Sequence, residues 1–180
     1  VKDKNSNPKI ENKMCEEDLP TGDVLIKIKY TTINYKDSLA IVKKIPIIRS
    51  FPMIPGIDFA GSVLESSNPN FEIGQNVLST GWGLGESHWG GFSELAKVNG
   101  KCLTSVPENL SLKSVMSIGT AGFTAMLAIS KLEEHGINTK SGKVLVTGAS
   151  GGVGSISVAI LSYLGYEVIA MTGSLENTNF

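Results

Sequence analysis

The sequence has very little cysteine: its 180 residues include only Cys15 and Cys102. Two thiols cannot supply a disulfide framework or a four-cysteine zinc site. Neither cysteine has a histidine beside it in the sequence, which argues against a nucleophilic role. The cysteine content therefore favours a reducing compartment, and we expect the cytoplasm.

The chain also lacks an excess of charge, a long apolar run and a recognisable leader. Its formal net charge is −1, so no electrostatic attraction to nucleic acid or to an anionic membrane is predicted. No apolar run approaches the length of a membrane span, and residues 1–18 are polar rather than signal-like. We therefore expect a small-molecule partner, with no nucleic acid and no membrane.

Glycine is abundant by contrast, and one glycine cluster is the most informative feature of the sequence. The apolar run 144–147 leads into the cluster 148–154, an apolar stretch of helical character covers 155–164, and a β-branched run follows Gly165. This order of strand, tight turn, helix and strand is typical of the first βαβ unit of a dinucleotide-binding domain. The alternative is a structural strand-to-helix turn that binds nothing.

The residues of the cluster have separate predicted roles. Ala149 stands where the commonest fingerprint has its first glycine, so the motif is A-x-G-x-x-G. We expect Gly151 to let the backbone approach a diphosphate and Gly154 to let the helix pack closely on the strand. The first N–H groups of the helix then face the anion. The predicted cofactor-binding residues of this turn are Ser150, Gly151, Gly152 and Val153.

An acidic residue is missing where NAD-binding domains usually have one. About twenty residues after the cluster, an Asp or Glu normally binds the ribose 2′-hydroxyl. Here the second strand ends in Met171-Thr172-Gly173-Ser174, which is small and neutral. A carboxylate would repel a 2′-phosphate and this segment would not, although no Arg or Lys follows at once to bind the phosphate. We predict NADPH rather than NADH, with Thr172, Gly173 and Ser174 among the residues that bind it.

Short strands dominate the first part of the chain. An alternating run over 24–30 predicts a strand with one wetter face, on which Leu25 and two lysines lie, opposite Val24, Ile26, Ile28 and Tyr30. Further strands are predicted over 58–65, around 73–78 and over 92–98, with turns rich in glycine and proline between them. The pattern indicates a compact β-rich domain, expected to be a partly closed barrel.

The pattern changes to helical spacing after Ser111, a plausible N-cap. Apolar spacing continues to Gly119, which interrupts it, and a second helical stretch covers about 120–135. We place a domain boundary at about residue 111, with the first domain over 1–111, including a polar segment over 1–20. The second, 112–180, is predicted to be the start of a nucleotide-binding domain.

Only two strands of the second domain are present, whereas a doubly wound sheet has about six. We therefore expect the chain to be the N-terminal portion of a longer protein. On the same ground we expect residues 1–180 alone to be inactive.

Several segments, in order and spacing, make the chain from about Gly22 onward similar to the zinc-free medium-chain reductases of the quinone-oxidoreductase-like group, and within it to the branch that reduces acryloyl-CoA. These segments are Asn-Tyr-Lys-Asp at 34–37 and the stretches 55–61, 81–91, 119–125 and 148–154. The resemblance implies a mixed α/β fold, with a GroES-like catalytic domain before a Rossmann NADP-binding domain, and a homodimer when full length.

Zinc-dependent relatives hold their metal with a Cys, a Gly-His-Glu segment and a later Cys. This chain has Tyr35 near the first position and Ile57-Asp58 after Gly56. One carboxylate without His or Cys partners does not make a zinc site, so we predict no metal. Without a Lewis acid, the resemblance favours hydride transfer from NADPH to the β-carbon of a C=C bond conjugated to a thioester, with charge moving to the enolate oxygen.

Tyr35 and Asn34 are the predicted catalytic residues. The phenol of Tyr35 would lie beside the nicotinamide, contact the cofactor and donate a hydrogen bond or a proton to the enolate, while Asn34 helps to orient it. Alternatively, Tyr35 is an ordinary core residue or only lines the cofactor pocket. Asp58 is expected to be a structural carboxylate. Thr120 and Thr124 are expected within reach of the cofactor, with backbone satisfaction as the alternative.

The favoured substrate is a short enoyl-CoA such as acryloyl-CoA, and the sequence shows no basic cluster that would hold the CoA. A quinone or enone reductase is the alternative enzyme, and a non-catalytic NADPH-binding sensor or structural protein is the alternative from another class. His88 is expected to pack structurally, with contact to the substrate as the alternative, and His135 is expected to interact with the C-terminal end of a helix.

Overall fold

The computed structural model describes residues 1–12, 16–42 and 45–173. The chain divides into two compact units, Val1–Thr120 and Ala121–Phe180. The division falls inside a long helix, whereas the boundary proposed from the sequence, at about residue 111, lies where that helix begins. Each unit has its own strands and its own buried core.

Among its described residues, the first unit has five strands, a short α-helix, two 3₁₀ turns and the start of a long helix. The elements are β1 (Val24–Tyr30), α1 (Tyr35–Val42), β2 (Asp58–Ser66), β3 (Asn76–Thr80), β4 (Leu95–Val98) and β5 (Thr104–Ser105). All strand pairs are antiparallel, in the order β4-β1-β2-β3-β5. The predicted β-rich first domain thus consists of one sheet with β4 and β5 at its edges.

One face of this sheet holds the core of the first unit. The buried cluster comprises Val24, Ile26, Phe59, Val63, Val77, Leu84, Ala96, Val98 and Leu103. Leu25, placed on the wetter face by the alternation, is also buried, and Tyr30 is 43% exposed. Pairing of β1 with β2 is irregular after Leu25 and again before Tyr30. Such bulges change which way side chains point, so simple alternation fails at both ends of β1.

Three connections leave the sheet at the same end. The last residue of β3, Thr80, is the register partner of Asp58 at the start of β2, and β1 ends beside that same start. The segments 31–35, 56–58 and 81–91 therefore lie next to one another. Backbone hydrogen bonds join the last two of them, between Gly81 N–H and the Ile57 carbonyl at 2.9 Å among others.

The second unit has the predicted order of strand, turn, helix and strand. Its elements are most of α2 (Leu112–Glu134), then β6 (Val144–Thr147), α3 (Gly152–Tyr163) and β7 (Val168–Met171). β6 and β7 pair in parallel, from Val144 beside Val168 to Thr147 beside Met171. The helix begins at Gly152, inside the glycine cluster, rather than at residue 155.

One face of this parallel pair is packed and the other is open. Ile129 of α2, Leu161 of α3 and Tyr166 are buried together against the inner side chains of the two strands. On the opposite face Leu145 and Ile169 are register partners and are 56% and 47% exposed. Parallel sheets usually bury both faces, so this apolar strip stands out.

Both helix ends in the second unit follow the glycine signals of the sequence. Gly136 has φ 89°, and the Ile137 N–H bonds back to the Leu132 carbonyl at 3.1 Å. Gly165 has φ 85°, and the Tyr166 N–H bonds back to the Leu161 carbonyl at 3.0 Å. These are Schellman-type endings, in which glycine adopts the left-handed conformation without a Cβ penalty.

In the described part of the chain, α2 is long and apolar enough to cross a membrane by length and composition, contrary to the expectation from the sequence. A core helix of a water-soluble protein meets the same criterion. Gly119, with φ 50° and ψ −159°, interrupts the helical geometry. The continuous part after it, residues 120–134, would extend roughly 22 Å, less than the ~30 Å of a bilayer core.

Candidate functional site

Asp58 is fully buried where β2 begins, and its carboxylate is surrounded by donors. It accepts hydrogen bonds from the Thr32 N–H and hydroxyl at 3.1 and 2.7 Å, and from the Thr120 N–H and hydroxyl at 3.0 and 2.7 Å. Asn34 Nδ2 donates another at 3.1 Å. These bonds offset the cost of burying the carboxylate. The expected structural role of Asp58 is confirmed.

The interruption of α2 supplies two of those donors. At Gly119 the backbone adopts a conformation that is essentially confined to glycine, and a Cβ there would lie 3.3 Å from Asp58 Oδ2. Because the helix breaks at this point, the Thr120 N–H points to Asp58. Thr120, considered above as a cofactor contact, has both of these groups bonded to Asp58.

Asn34 lies just before α1 and is held by the same network. Its Nδ2 donates to Thr32 Oγ1 at 2.9 Å and to Asp58 Oδ2 at 3.1 Å. Its backbone N–H donates to Asp37 Oδ2 at 2.8 Å, which is one of the two hydrogen bonds of a capping box. Within the described residues no hydrogen bond joins the Asn34 amide to the Tyr35 phenol, so its part in orienting Tyr35 stays a prediction.

Asp37 is a second buried carboxylate beneath the same loop. It is 1% exposed and also accepts the Ile57 N–H at 3.0 Å, which links α1 to the start of β2. Burial raises the pKa of Asp37, and the nearby charge of Asp58 raises it further. The base of the loop that carries Asn34 and Tyr35 is thus fixed by two carboxylates.

Tyr35 is the first residue of α1, and its side chain is 80% exposed. This exposure places Tyr35 outside the core of the first unit. The phenol is available to a ligand of the first unit, as a catalytic or pocket-lining group requires. Its catalytic and cofactor-binding roles stay predictions.

An ion-pair cluster connects α1 to the glycine-rich loop 81–91. Glu86 contacts Lys36 Nζ at 2.5 Å and Arg49 Nε at 2.7 Å. The hydrogen bond from Lys36 is the main reason that the pKa of Glu86 lies below its ordinary value. The loop also carries Trp82, which is 58% exposed at φ 51°, a left-handed conformation rare for a bulky residue.

The glycine turn has the geometry of an anion site. Gly148 has φ 60°, and its carbonyl accepts the Gly151 N–H at 2.9 Å. Gly151 is the N-cap of α3 and provides no side-chain cap. The Ser155 N–H bonds back to the Gly151 carbonyl at 2.8 Å, so the three N–H groups before it have no acceptor within the helix. They form the positive end of the helix dipole.

Close packing explains the last glycine of the turn. A Cβ on Gly154 would collide with the carbonyl oxygen of Gly148. The close approach predicted for Gly154 is therefore present, and it is made to the turn that follows β6. A Cβ on Gly151 would lie 3.2 Å from the same oxygen, so this position is also tight.

The other predicted cofactor residues of the second unit lie near this turn. Ser150 Oγ is 3.0 Å from Thr172 Oγ1, which joins the turn to the end of β7, where parallel sheets bind nucleotides. Gly173 follows directly, and Ser174 lies outside the described residues. Thr124 is exposed on α2, one helical turn after Ala121. A Cβ placed on Gly152 would lie 3.5 Å from the Ala121 Cβ. Cofactor binding by these residues stays a prediction.

The histidines and the described cysteine have other surroundings. His135 Nδ1 is 2.7 Å from the Lys131 carbonyl, which confirms the expected interaction at the end of α2. His88 is exposed, and its backbone N–H bonds to the Gly83 carbonyl. Cys102 is 8% exposed, and burial raises the pKa of its thiol, which disfavours the reactive thiolate. Cys15 lies outside the described residues.

Within residues 1–12, 16–42 and 45–173, no group of three His, Cys, Asp or Glu side chains is arranged to hold a metal ion. Asp58 has threonine and asparagine donors around it instead of ligands. Thr32, which contributes two of those donors, is not among the residues predicted from the sequence. Two threonines follow the first strand, but which of them matters depends on the burial of Asp58.

Comparison with known proteins gives close matches. Residues 20–108 match the alcohol dehydrogenase GroES-like domain family. Over 158 residues the chain is 55% identical to the probable acrylyl-CoA reductase AcuI of Escherichia coli. The matched region covers 88% of this chain and 49% of that protein. It is 50% identical over 164 residues to the putative quinone oxidoreductase YhfP of Bacillus subtilis, covering 91% and 50%.

Solved structures agree with these matches. The yhdH oxidoreductase of Salmonella enterica in complex with NADP has a TM-score of 0.90 at 54% identity, over 92% of this chain and 51% of that one. Bacillus subtilis yhfP with NAD bound has a TM-score of 0.87 at 49% identity, over 92% and 50%. The chain spans about half the length of the curated relatives it matches.

An antiparallel β-rich unit followed by a parallel βαβ unit with a glycine turn defines the class of this protein: a medium-chain dehydrogenase/reductase of mixed α/β fold. The chain belongs to the alcohol dehydrogenase GroES-like family, in its quinone-oxidoreductase-like group. The resemblance seen in the sequence is confirmed.

Proposed function

We propose that this chain is part of an NADPH-dependent reductase of activated C=C bonds, with a short enoyl-CoA such as acryloyl-CoA as the substrate. The observation that carries the proposal is the uncapped start of α3 after the glycine turn, beside the Ser150–Thr172 contact. The name of the Escherichia coli relative supports the substrate. On this proposal residues 1–111 form the catalytic domain and 112–180 the start of the NADP-binding domain.

The residues of the second unit fit a dinucleotide. The N–H groups of residues 152–154 would hold the diphosphate, since a helix N-terminus attracts anions. Ser150 and Thr172 would hydrogen-bond the ribose region, next to Val153, Gly173 and Ser174, with Thr124 near the cofactor. NADPH supplies the hydride when it is bound.

The residues of the first unit would complete the reaction. Tyr35 would donate a hydrogen bond to the enolate oxygen that forms as hydride reaches the β-carbon, or pass it a proton. Asp58 and Asp37 would keep the loop of Asn34 and Tyr35 rigid. In the full-length protein, Tyr35→Phe should lower kcat if the phenol acts as an acid. An unchanged kcat would leave Tyr35 a lining role only.

The test of the function uses the full-length protein and follows NADPH absorbance at 340 nm. Acryloyl-CoA is compared with a simple quinone and a simple enone. A higher kcat/KM with acryloyl-CoA is expected. Faster reaction with the quinone would favour a second candidate function, that of a quinone or enone reductase. The name of the Bacillus subtilis relative supports this candidate. Binding of NADPH without oxidation by any acceptor would instead indicate a non-catalytic sensor or structural protein.

Cytoplasmic location and a homodimer complete the proposal. The location is supported by the low cysteine content and by the bacterial oxidoreductases among the relatives. The dimer is supported by the family resemblance alone. Light scattering of the full-length protein tests it, and a monomer at working concentrations would contradict it.

A further inference from the structure

We infer that Asp58 is a positioning residue that turns the Asn34 amide so that its carbonyl oxygen accepts a hydrogen bond from an amide N–H of the bound ligand. The inference rests on the proposed function, because amide groups occur in both proposed ligands: the carboxamide of NADPH and the pantetheine arm of an acyl-CoA. It assigns Asn34 to ligand recognition rather than to the orientation of Tyr35.

The chemistry of its neighbours fixes which way the Asn34 amide faces. Nδ2 lies 3.1 Å from Asp58 Oδ2, and a carboxylate has no proton to donate. Nδ2 also lies 2.9 Å from Thr32 Oγ1, whose single proton is given to Asp58 at 2.7 Å. Both neighbours therefore accept from Asn34. A flipped amide would lose two hydrogen bonds and place its oxygen against a carboxylate.

The same bonds define what Asn34 offers to a ligand. Nδ2 donates to Thr32 Oγ1 and to Asp58 Oδ2, so the donor edge of this amide faces the buried network rather than an enolate oxygen. Oδ1 lies on the opposite edge of the planar amide, and no donor reaches it within the described part of the chain. The side chain is half-buried beside the exposed Tyr35, and the Asn34 backbone N–H is held by Asp37. The site is thus a fixed acceptor.

The experiment uses ligand pairs in which one member has the amide N–H donor and the other lacks it. In the full-length protein, Asn34→Ser keeps a residue type that is favoured before a helix but removes the amide oxygen, since the shorter hydroxyl does not reach the position of Oδ1. NADPH is compared with its reduced 3-acetylpyridine analogue by fluorescence titration, and acryloyl-CoA with methyl vinyl ketone by KM. We expect Asn34→Ser to weaken the amide-bearing member of one pair about tenfold, the value of one hydrogen bond, and to leave the other member unchanged.

The affected pair identifies the source of the amide. A loss confined to NADPH assigns the acceptor to the nicotinamide carboxamide, and a loss confined to acryloyl-CoA assigns it to the pantetheine arm. Equal losses within each pair, or no loss in either, overturn the inference. If Asn34→Ser is poorly folded, Asn34→Ala is measured with the same pairs.

Asp58→Asn tests the positioning role, with Asp37→Asn as the matched control. Both replace a carboxylate at the base of the loop, but Asp58 accepts from the Asn34 amide Nδ2 at 3.1 Å, whereas the hydrogen bond to Asp37 at 2.8 Å comes from the Asn34 backbone N–H. Asp58→Asn should reproduce the ligand-dependent loss of Asn34→Ser, whereas Asp37→Asn should lower the melting temperature without it. A wild-type protein that reduces no acceptor defeats the proposed function. If the wild-type protein is active but Asp58→Asn and Asp37→Asn show the same ligand-dependent loss, only this inference is overturned.

Discussion

At the residue scale, Gly154 is the position in the glycine turn with least room for a side chain. A Cβ there would collide with the Gly148 carbonyl, whereas a Cβ on Gly152 would make ordinary contact at 3.5 Å. Gly154→Ala should therefore lower the free energy of unfolding by about 1 to 3 kcal/mol, measured by urea titration. Gly152→Ala is the control and should change it little. Equal effects would show that backbone entropy, not space, decides.

Cofactor choice is also decided by single residues. Thr172 directly follows β7 and contacts Ser150, with no carboxylate at that point. In the full-length protein Thr172→Asp should raise the KM for NADPH at least about tenfold relative to that for NADH, because a carboxylate repels the 2′-phosphate and binds the ribose hydroxyls. Thr172→Asn, neutral and of similar size, is the control. Because yhfP was solved with NAD bound, the ratio of the two KM values is also measured for the wild-type protein. Tighter binding of NADH than of NADPH by the wild-type protein would overturn the NADPH proposal.

At the scale of elements, Glu86 ties α1 to the loop 81–91 through Lys36 and Arg49. Glu86→Gln should cost about 1 kcal/mol at pH 7, since the pairs are partly solvated. The control is Glu134→Gln, whose exposed pair with Lys131 should contribute less than about 0.5 kcal/mol. Urea titration of both variants measures the difference.

The pH dependence of that effect has a definite sign. The folded-state pKa of Glu86 lies below its ordinary 4.5, so its contribution to stability is complete above pH 4.5 and is lost as the pH falls through the lowered value. The gap between wild type and Glu86→Gln should therefore close in acid. A gap that does not narrow as the pH falls below 4.5 would mean that the lost contacts are not electrostatic.

The second unit could be predicted almost element by element, whereas the details of the first could not. The strand 144–147, the turn and the glycine-ended helices depend on local rules of propensity and capping, which a sequence displays. Burial of Leu25 and exposure of Tyr30 depend on bulges in the pairing of β1 with β2. Bulges are properties of two strands, and one strand alone does not show them.

The candidate site divides in the same way. The residues of the glycine turn are adjacent in sequence, so their clustering was predictable. The Asp58 network joins residues 32, 34, 58 and 120 through tertiary contacts. Thr32 has no distinguishing pattern before Asp58 is known to be buried beside it. The acceptor orientation of Asn34 follows only from those distances.

At the scale of the whole molecule, the chain matches about half of each curated relative. Residues 1–180 expressed alone should bring about no NADPH oxidation with acryloyl-CoA or a quinone, because a doubly wound nucleotide domain needs more strands than β6 and β7. The full-length protein is the positive control, and circular dichroism of the short chain shows whether it is folded. Robust turnover by the folded short chain would contradict this prediction.

The open side of β6 and β7 has a practical consequence for such a preparation. Leu145, Ile169 and Met171 present their side chains to water on this side, each about half exposed. In a concentrated solution of the 180-residue polypeptide, we expect the molecules to self-associate through these side chains, which removes them from water. Purification would then depend on dilution, detergent or a substitution such as Ile169→Lys to keep the material dispersed.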